Sequence, residues 1–439
     1  LYFNYFKERL VYFNGTLVNE LMNTILFGAG ASIPFFDIPL TTTYITKQIL
    51  DIKNWEKVLK KLTKAKNDGY DLIDISEVEP VLCYLSSLNG NGYFNLNFED
   101  IAEVLDKLSS YGYDAVPQHN LLNTILMFFK PKITISPRWH HIPFLLREII
   151  ANTIIDMHKN HRISNYDKMV SLQNDFIDSI RGEDNCISLV SLNYDDIVPT
   201  SVDVFDDISC HFTDNTKRHK NTINIKDFFK SKTVAYFPHG HLRFVFTDEL
   251  NVSYFKDIYQ AEKERWDGLF NRGTTNVVNG SFSYDFNTFI TTGKTKDNAF
   301  NNMPYSIYYQ RLATDFLNSC KIFIIGYSFG DVHFNRLLRS FLYTNKENKV
   351  YVIDKYDPMV TMVDEYKENS NIITKIQDTF KPDWNIIVDN DLCQKLPYNQ
   401  QEVNKINQEG YGEIFERIIL YKKGYDQFLN DFHKVLSEY

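Results

Sequence analysis

The chain of 439 residues carries 47 lysines and arginines against 56 aspartates and glutamates, a formal net charge of −9, which excludes a protein built mainly to grip a nucleic-acid backbone. Hydrophobic residues at 44% and charged residues at 23% exclude wholesale disorder, and the length predicts two or three structural units. Five scattered cysteines, Cys83, Cys186, Cys210, Cys320 and Cys393, contain no C-x-x-C pair, which excludes a disulfide framework or a Cys-based zinc ribbon and predicts a reducing compartment.

The first residues, Leu1 to Leu10, carry Lys7, Glu8 and Arg9 where a signal peptide needs an apolar stretch, and no run of eighteen apolar residues occurs anywhere. A cytoplasmic protein that neither enters a membrane nor binds nucleic acid directly is therefore expected. Thr24-Ile25-Leu26-Phe27 reads as a buried strand ending in the tight turn Gly28-Ala29-Gly30-Ala31-Ser32. About 150 helical residues follow, among them Pro143 to Ile155, with apolar positions spaced by three and four. Three more strands are predicted at Ile187–Leu192, Lys321–Ile325 and Val350–Ile353, each rich in β-branched residues and each ending in a polar or glycine-bearing turn. Strands apolar on both faces require a parallel sheet covered by helices.

The expected architecture is α/β: a Rossmann-like doubly wound parallel sheet with a large helical insertion and a helical C-terminal tail. Residues 1–50 form the N-terminal segment and first strand-turn of the nucleotide-binding unit, 51–180 the helical insertion, and 181–375 the core. That core carries a smaller insertion at about 251–309, whose polar stretch Asn271 to Gly280 looks like a surface loop. Residues 376–439 form a helical segment in which Tyr411 to Tyr439 reads as a charged amphipathic tail.

Four motifs carry chemistry. Glycines at 28 and 30 suit close approach of backbone N–H groups to a diphosphate, but Ile33 stands where a Rossmann dehydrogenase needs its third glycine. Ser191-Leu192-Asn193-Tyr194-Asp195 places Asn193 and Asp195 on the same side of an extended turn at a strand end; a helix cap is the bland explanation. His239, followed by Gly240, is a candidate base, and His241 competes for that role. Gly326-Tyr327-Ser328-Phe329-Gly330-Asp331, with Asp354 at the next strand end, suits ribose or phosphate contacts. It also fits the G-x-S-x-G elbow of α/β-hydrolases, although His333 and His433 are poorly placed to complete that triad. Cys210-His211 near His219, and His158 with His161, fail to complete a metal-binding spacing, so no metal is predicted.

Together and in this order, Gly28-Ala29-Gly30-Ala31-Ser32, Ser191 to Asp195, His239-Gly240, Gly326-Tyr327-Ser328 and Asp354 resemble the sirtuin-like family, in particular its bacterial branch of antiphage defence. The resemblance implies NAD as substrate. Gly28, Ala29, Gly30 and Ser32 would hold the diphosphate. Asn193 would position a water or the nicotinamide ribose and His239 would act as base. Ser191 would also bind the cofactor, Asp195 would contact the carboxamide, and Gly326, Ser328 and Asp354 would meet the adenosine half. The chain lacks the zinc-ribbon cysteines of the deacylase sirtuins and their Gly-Ile-Pro-Asp-Phe-Arg order after the glycine turn. NAD+ glycohydrolase activity is therefore expected ahead of deacylation, ADP-ribosyl transfer or nucleotide sensing without turnover. Homo-oligomerisation and a HerA-type ATPase partner are the expected gates, with the 34 Phe and 28 Tyr supplying contact surface.

Overall fold

The computed structural model describes residues 22–65, 73–90, 96–113, 139, 142–182, 186–202, 212–213, 222–223, 225–246, 252–271, 277–278, 281–282, 290–292, 304–355, 372–380, 405–406 and 408–439. Leu1 to Leu10, Cys210-His211, His219, Cys393 and most of the polar stretch from Asn271 to Gly280 lie outside them.

Seven strands form the main sheet: Met22–Phe27 (β1), Ile187–Ser191 (β2), Thr233–Tyr236 (β3), Ser319–Ile325 (β4), Lys349–Ile353 (β5), Tyr411–Phe415 (β6) and Ile418–Tyr421 (β7). Their order is β6-β7-β5-β4-β1-β2-β3. Every neighbouring pair is parallel except the β6–β7 hairpin. From β1 the chain steps outward through β2 to β3, returns to β4 on the other side of β1, and steps outward again. Strand order thus reverses between β1 and β4, the place where an open α/β sheet forms its ligand crevice. Burial on both faces explains why these strands read as continuous apolar runs; β2 is buried at every residue.

Between β1 and β2 lie the helices Thr42–Leu50 (α1), Ile52–Ala65 (α2), Ile75–Gly90 (α3), Phe98–Tyr113 (α4), Ile142–Asn160 (α5) and Tyr166–Ser179 (α6). Ile197–Ser201 (α7) follows β2, Ile225–Lys230 (α8) precedes β3, and Ile258–Asn271 (α9) lies in the smaller insertion. Tyr305–Asn318 (α10) leads into β4, Val332–Thr344 (α11) joins β4 to β5, and Ile372–Phe380 (α12) and Tyr425–Glu438 (α13) complete the described helices. One hydrophobic cluster runs from Ile25 to Val435 and includes Trp55, Val78 and Ile101 of the helical layer. The helices before β2 therefore share the core of the sheet.

The Rossmann-like α/β architecture matches the expectation, and so does a terminal helix. The segment ahead of that helix differs: Tyr411 to Tyr421, read as part of an amphipathic helical tail, is the β6–β7 hairpin, with β7 hydrogen-bonded to β5. Its turn carries no glycine, asparagine or aspartate. Arg417 takes the left-handed conformation, φ 69°, held there by its N–H donating to Glu413 Oε1 at 2.6 Å and its guanidinium donating to the carbonyls of Leu342 and Asn345 at 2.7 and 2.9 Å. A hairpin stabilised by tertiary contacts lacks the local turn signal that would have announced it.

Candidate active site

Register brings the candidate residues to one edge. Phe27 pairs with Ile325 on one side and Ser191 on the other, Val190 pairs with Tyr236, and Ile325 pairs with Ile353. The turns that follow, starting at Gly28, Leu192, Phe237, Gly326 and Asp354, therefore lie together along the carboxyl ends of the strands.

At the switch point two glycine turns pack backbone against backbone. Gly28 N–H donates to Ile325 O at 2.8 Å and Gly30 N–H to Gly326 O at 2.9 Å. A Cβ on Gly28 would lie 2.6 Å from Gly326 O, and one on Gly30 would lie 2.7 Å from Gly326 Cα. Gly326 has φ +58°, and its Cβ would come within 2.3 Å of Ala31 N. The glycines at 28, 30 and 326 are thus required by mutual approach of the turns after β1 and β4. The N–H groups of Gly28 and Gly30 serve that contact, whereas the sequence alone suggested a diphosphate.

From the glycine turn a polar chain runs into the turn after β2. Asn193 Nδ2 donates to Gly28 O at 2.9 Å and to Ser32 Oγ at 2.8 Å. The Ser32 hydroxyl donates in turn to Asp195 Oδ2, and Asp195 Oδ1 accepts from Ile197 N at 3.0 Å. Ser191 Oγ accepts from Asn193 N at 3.3 Å, so Ser191 shapes the turn that carries Asn193. With both amide bonds fixed, the orientation of Asn193 is set: among the described residues no group bonds to its Oδ1. Burial pushes the Asp195 carboxyl up to about 6, opposed by the Ser32 and Ile197 donors and reinforced by neighbouring Asp196.

The two histidines separate by their surroundings. His241 Nδ1 accepts from Arg243 N at 3.1 Å, so its proton sits on Nε2, which donates to Asp195 O at 2.6 Å. Burial, and then the Arg243 charge, hold its pKa well below the ordinary value. His241 is a neutral brace between two loops. His239 instead places Nε2 3.1 Å from Asp331 Oδ2, and its carbonyl accepts from Thr291 N at 2.8 Å. His239 thus faces a carboxylate, whereas His241 is bonded to backbone on both ring nitrogens. Asp331 closes the Gly326 motif without carrying a role in the sequence reading; its place just ahead of α11, as an N-cap, is the sequence signal for it.

Ser328 is exposed on the loop after β4, and Asp354 is half-buried at the end of β5. Burial raises the Asp354 carboxyl, against its bond from Lys355 N and the charge of Lys375. The hydrolase reading finds no support in this loop: the left-handed residues are Gly326 and Phe329, so the strain of a nucleophile elbow does not fall on Ser328. Ala29 is exposed at the start of the turn and Ser32 is buried. Beneath the site, Asp196 holds Arg243 through Oδ2 at 2.8 Å, and its N–H donates to His158 Nε2 at 3.2 Å.

Among the described residues no group of three or more His, Cys, Asp or Glu is arranged to hold a metal ion, and no helix is long and apolar enough to cross a membrane. The family model of the SIR2-like domain matches residues 188–375, a span that holds Ser191, Asn193, Asp195, His239, Gly326, Ser328 and Asp354. It supports a sirtuin-like domain in this part of the chain. The glycine turn at 28–32 precedes the matched span and joins it through the bonds of Gly28, Gly30 and Asn193. No curated protein matches the chain.

Proposed function

We propose that the protein is an NAD+ glycohydrolase, cleaving the bond between nicotinamide and ribose to give nicotinamide and ADP-ribose. A SIR2-like domain implies an NAD-related enzyme. The observation that supports the finer reading is that Asn193, on the turn after β2, and His239, on the loop after β3, lie along the same carboxyl edge of the sheet, Asn193 braced by Ser32 and His239 by Asp331, with the two loops joined by the bond from His241 to Asp195 O.

The chemistry asks little of a general acid. Nicotinamide leaves as a neutral base, taking the electron pair of the breaking C–N bond, and the barrier lies in positive charge growing on the ribose. Water then forms the new C–O bond and releases a proton. Asn193 Oδ1, its amide nitrogen fixed by Gly28 and Ser32, accepts a hydrogen bond from that water or from a ribose hydroxyl. His239 takes the proton. Asp195, behind Ser32, keeps the Asn193 amide oriented.

The experiment is incubation of the purified chain with NAD while nicotinamide and ADP-ribose are followed. Asn193→Ala and His239→Ala should each lower turnover by about a hundredfold or more; a folded pair of variants that retain activity would sink the assignment. Nicotinamide release only in the presence of an acylated peptide would point to deacylation instead. Given the resemblance to the defence branch, NAD depletion during phage infection is the proposed setting, with activity gated by self-assembly or a HerA-type ATPase. Turnover of the chain alone compared with turnover beside such an ATPase tests that gate.

A further inference from the structure

We infer that Asp331 is a positioning residue for His239, holding the imidazole in the tautomer whose proton sits on Nε2 and fixing the plane of the ring. The inference deepens the NAD+ glycohydrolase reading and rests on it for the identity of the reaction, while the state of the ring is measurable without any turnover.

The contact is short and sheltered. His239 Nε2 lies 3.1 Å from Asp331 Oδ2, with the two side chains 7% and 12% exposed, so water competes poorly for either partner. An ionised carboxylate only accepts; the proton in this bond therefore belongs to Nε2 and the lone pair of the neutral ring to Nδ1. On this geometry Nδ1 is the basic atom.

The carboxylate is held from behind. Its other oxygen, Oδ1, accepts from His333 N at 2.9 Å and Phe334 N at 3.3 Å, capping α11. Two N–H donors at the positive end of the helix hold the group and stop it from rotating. Asp331 N donates to the Tyr327 hydroxyl at 3.1 Å, and that hydroxyl lies 3.0 Å from both Asp331 O and Asn335 Oδ1, donating to one of them. Asn335 Nδ2 donates to Phe329 O at 2.8 Å, closing the loop on itself. The Phe334 ring, in the first turn of the same helix, stands edge-on to the imidazole at 5.6 Å. One helix start thus fixes both a side and an edge of His239, while the loop at Thr291 fixes its backbone. An aspartate that fixes the tautomer of a base and then stabilises the imidazolium is a known device of acyl-transfer enzymes, assembled here from a helix cap.

Asp331→Asn separates the two duties. Asparagine caps a helix about as well as aspartate, so the fold should persist with a melting temperature within a few degrees of wild type. With Oδ1 kept at the helix, its Nδ2 faces the ring and donates to Nε2, which forces the proton to Nδ1. In the full chain labelled with 15N-histidine, with the His239 signals assigned by His239→Ala, the wild type should show an Nε2–H ring and Asp331→Asn an Nδ1–H ring. With NAD, kcat should fall at least tenfold, and on the order of a hundredfold, while KM changes less than about threefold. An Nδ1–H ring in the wild type overturns the inference even if the variant does not fold. So does a kcat loss in Asp331→Asn with an unchanged tautomer, or a changed tautomer with unchanged kcat. If no NAD is cleaved by any form of the protein, the reaction assignment fails while the ring spectra still decide whether Asp331 sets the tautomer.

Discussion

At the residue scale the glycines of one loop differ sharply in what they permit. Gly326→Ala forces a side chain into the left-handed region, at a cost of about 1–2 kcal/mol, and drives its Cβ to 2.3 Å from Gly30 C and Ala31 N. With overpacking added, a loss of roughly 3 kcal/mol or more is expected. Gly330, whose added Cβ would meet only Ser328 Oγ at 3.4 Å, should tolerate alanine within about 0.5 kcal/mol. Urea unfolding of the two variants tests the contrast; equal stability would mean the two turns do not touch as described. The buried histidines make a second prediction, about pH. Burial, then the charges of Arg162 and Arg243, lower His158 to about 3, and His241 is lowered too. Between about 3 and the ordinary 6.5 the unfolded chain binds more protons at His158 than the folded one, and His241 acts in the same direction. The His158 contribution is therefore fully present above about 6.5 and is lost as pH falls toward 3. Asp195, raised to about 6, acts in the opposite sense, adding stability as pH falls from 6 toward 4, so the slope for the whole protein mixes both. The difference between wild type and His158→Gln isolates one term: any advantage of the histidine at pH 7.5 should shrink steadily by pH 4.5. A constant difference in melting across that range would mean His158 is not held neutral by burial.

At the scale of elements, legibility followed the turn that ends each strand. β1, β2, β4 and β5 were visible because a continuous β-branched run stops at glycine, asparagine or aspartate. β3 is four residues, Thr233–Tyr236, running directly into Phe237-Pro238, and β7 is four apolar residues, Ile418–Tyr421, that fit a buried helix equally well. Only their partners decide: β3 lies against β2 and β7 against β5. The amphipathic periodicity of α13 was legible, but what its face covers was not. Its Phe428 and Phe432 rings stand edge-on to Phe176 of α6 at 5.1 and 5.5 Å, and Phe176 stands likewise at 5.5 Å from Phe323 of β4. Such pairs add about 0.5–1.5 kcal/mol each beyond the area they bury. At the start of α13 the Tyr425 hydroxyl donates to Gln173 Oε1 at 3.0 Å, and Gln173 Nε2 bonds Ser201 of α7. Tyr425→Phe leaves that buried amide oxygen unpaired and should cost about 1–3 kcal/mol. In a double-mutant cycle with Ser201→Ala the two losses should fail to add, because both act through Gln173; strict additivity would deny the connection.

On the scale of the whole molecule, the candidate residues were legible one by one and their joins were not. Predicted strand ends mark Gly28, Asn193 and Gly326, and the glycine that follows it marks His239. Nothing in the spacing says that Asn193 bonds the carbonyl of Gly28, 165 positions earlier, or that Asp331 reaches back 92 positions to His239. Those joins are consequences of strand order. β1 and β4, nearly three hundred residues apart in the chain, are neighbours, and everything that touches the candidate site depends on that pairing. The same reasoning makes the C-terminal segment part of the scaffold. β7 covers the edge of β5, and α13 packs on α6 and on the 3-10 helix Ala29–Phe35 that continues the glycine turn. Removing residues 408–439 would open a parallel edge strand to the solvent, a template for pairing between chains, and would strip Phe176 of two aromatic partners. The shortened chain is therefore expected to aggregate or to lose its cooperative melt, with NAD-dependent stabilisation abolished, whereas Val332→Ser, at an exposed position on α11, should leave melting and NAD response unchanged. A truncated protein that stays monodisperse, melts cooperatively and is still stabilised by NAD would show that the sheet ends at β5 and that the site needs nothing beyond it.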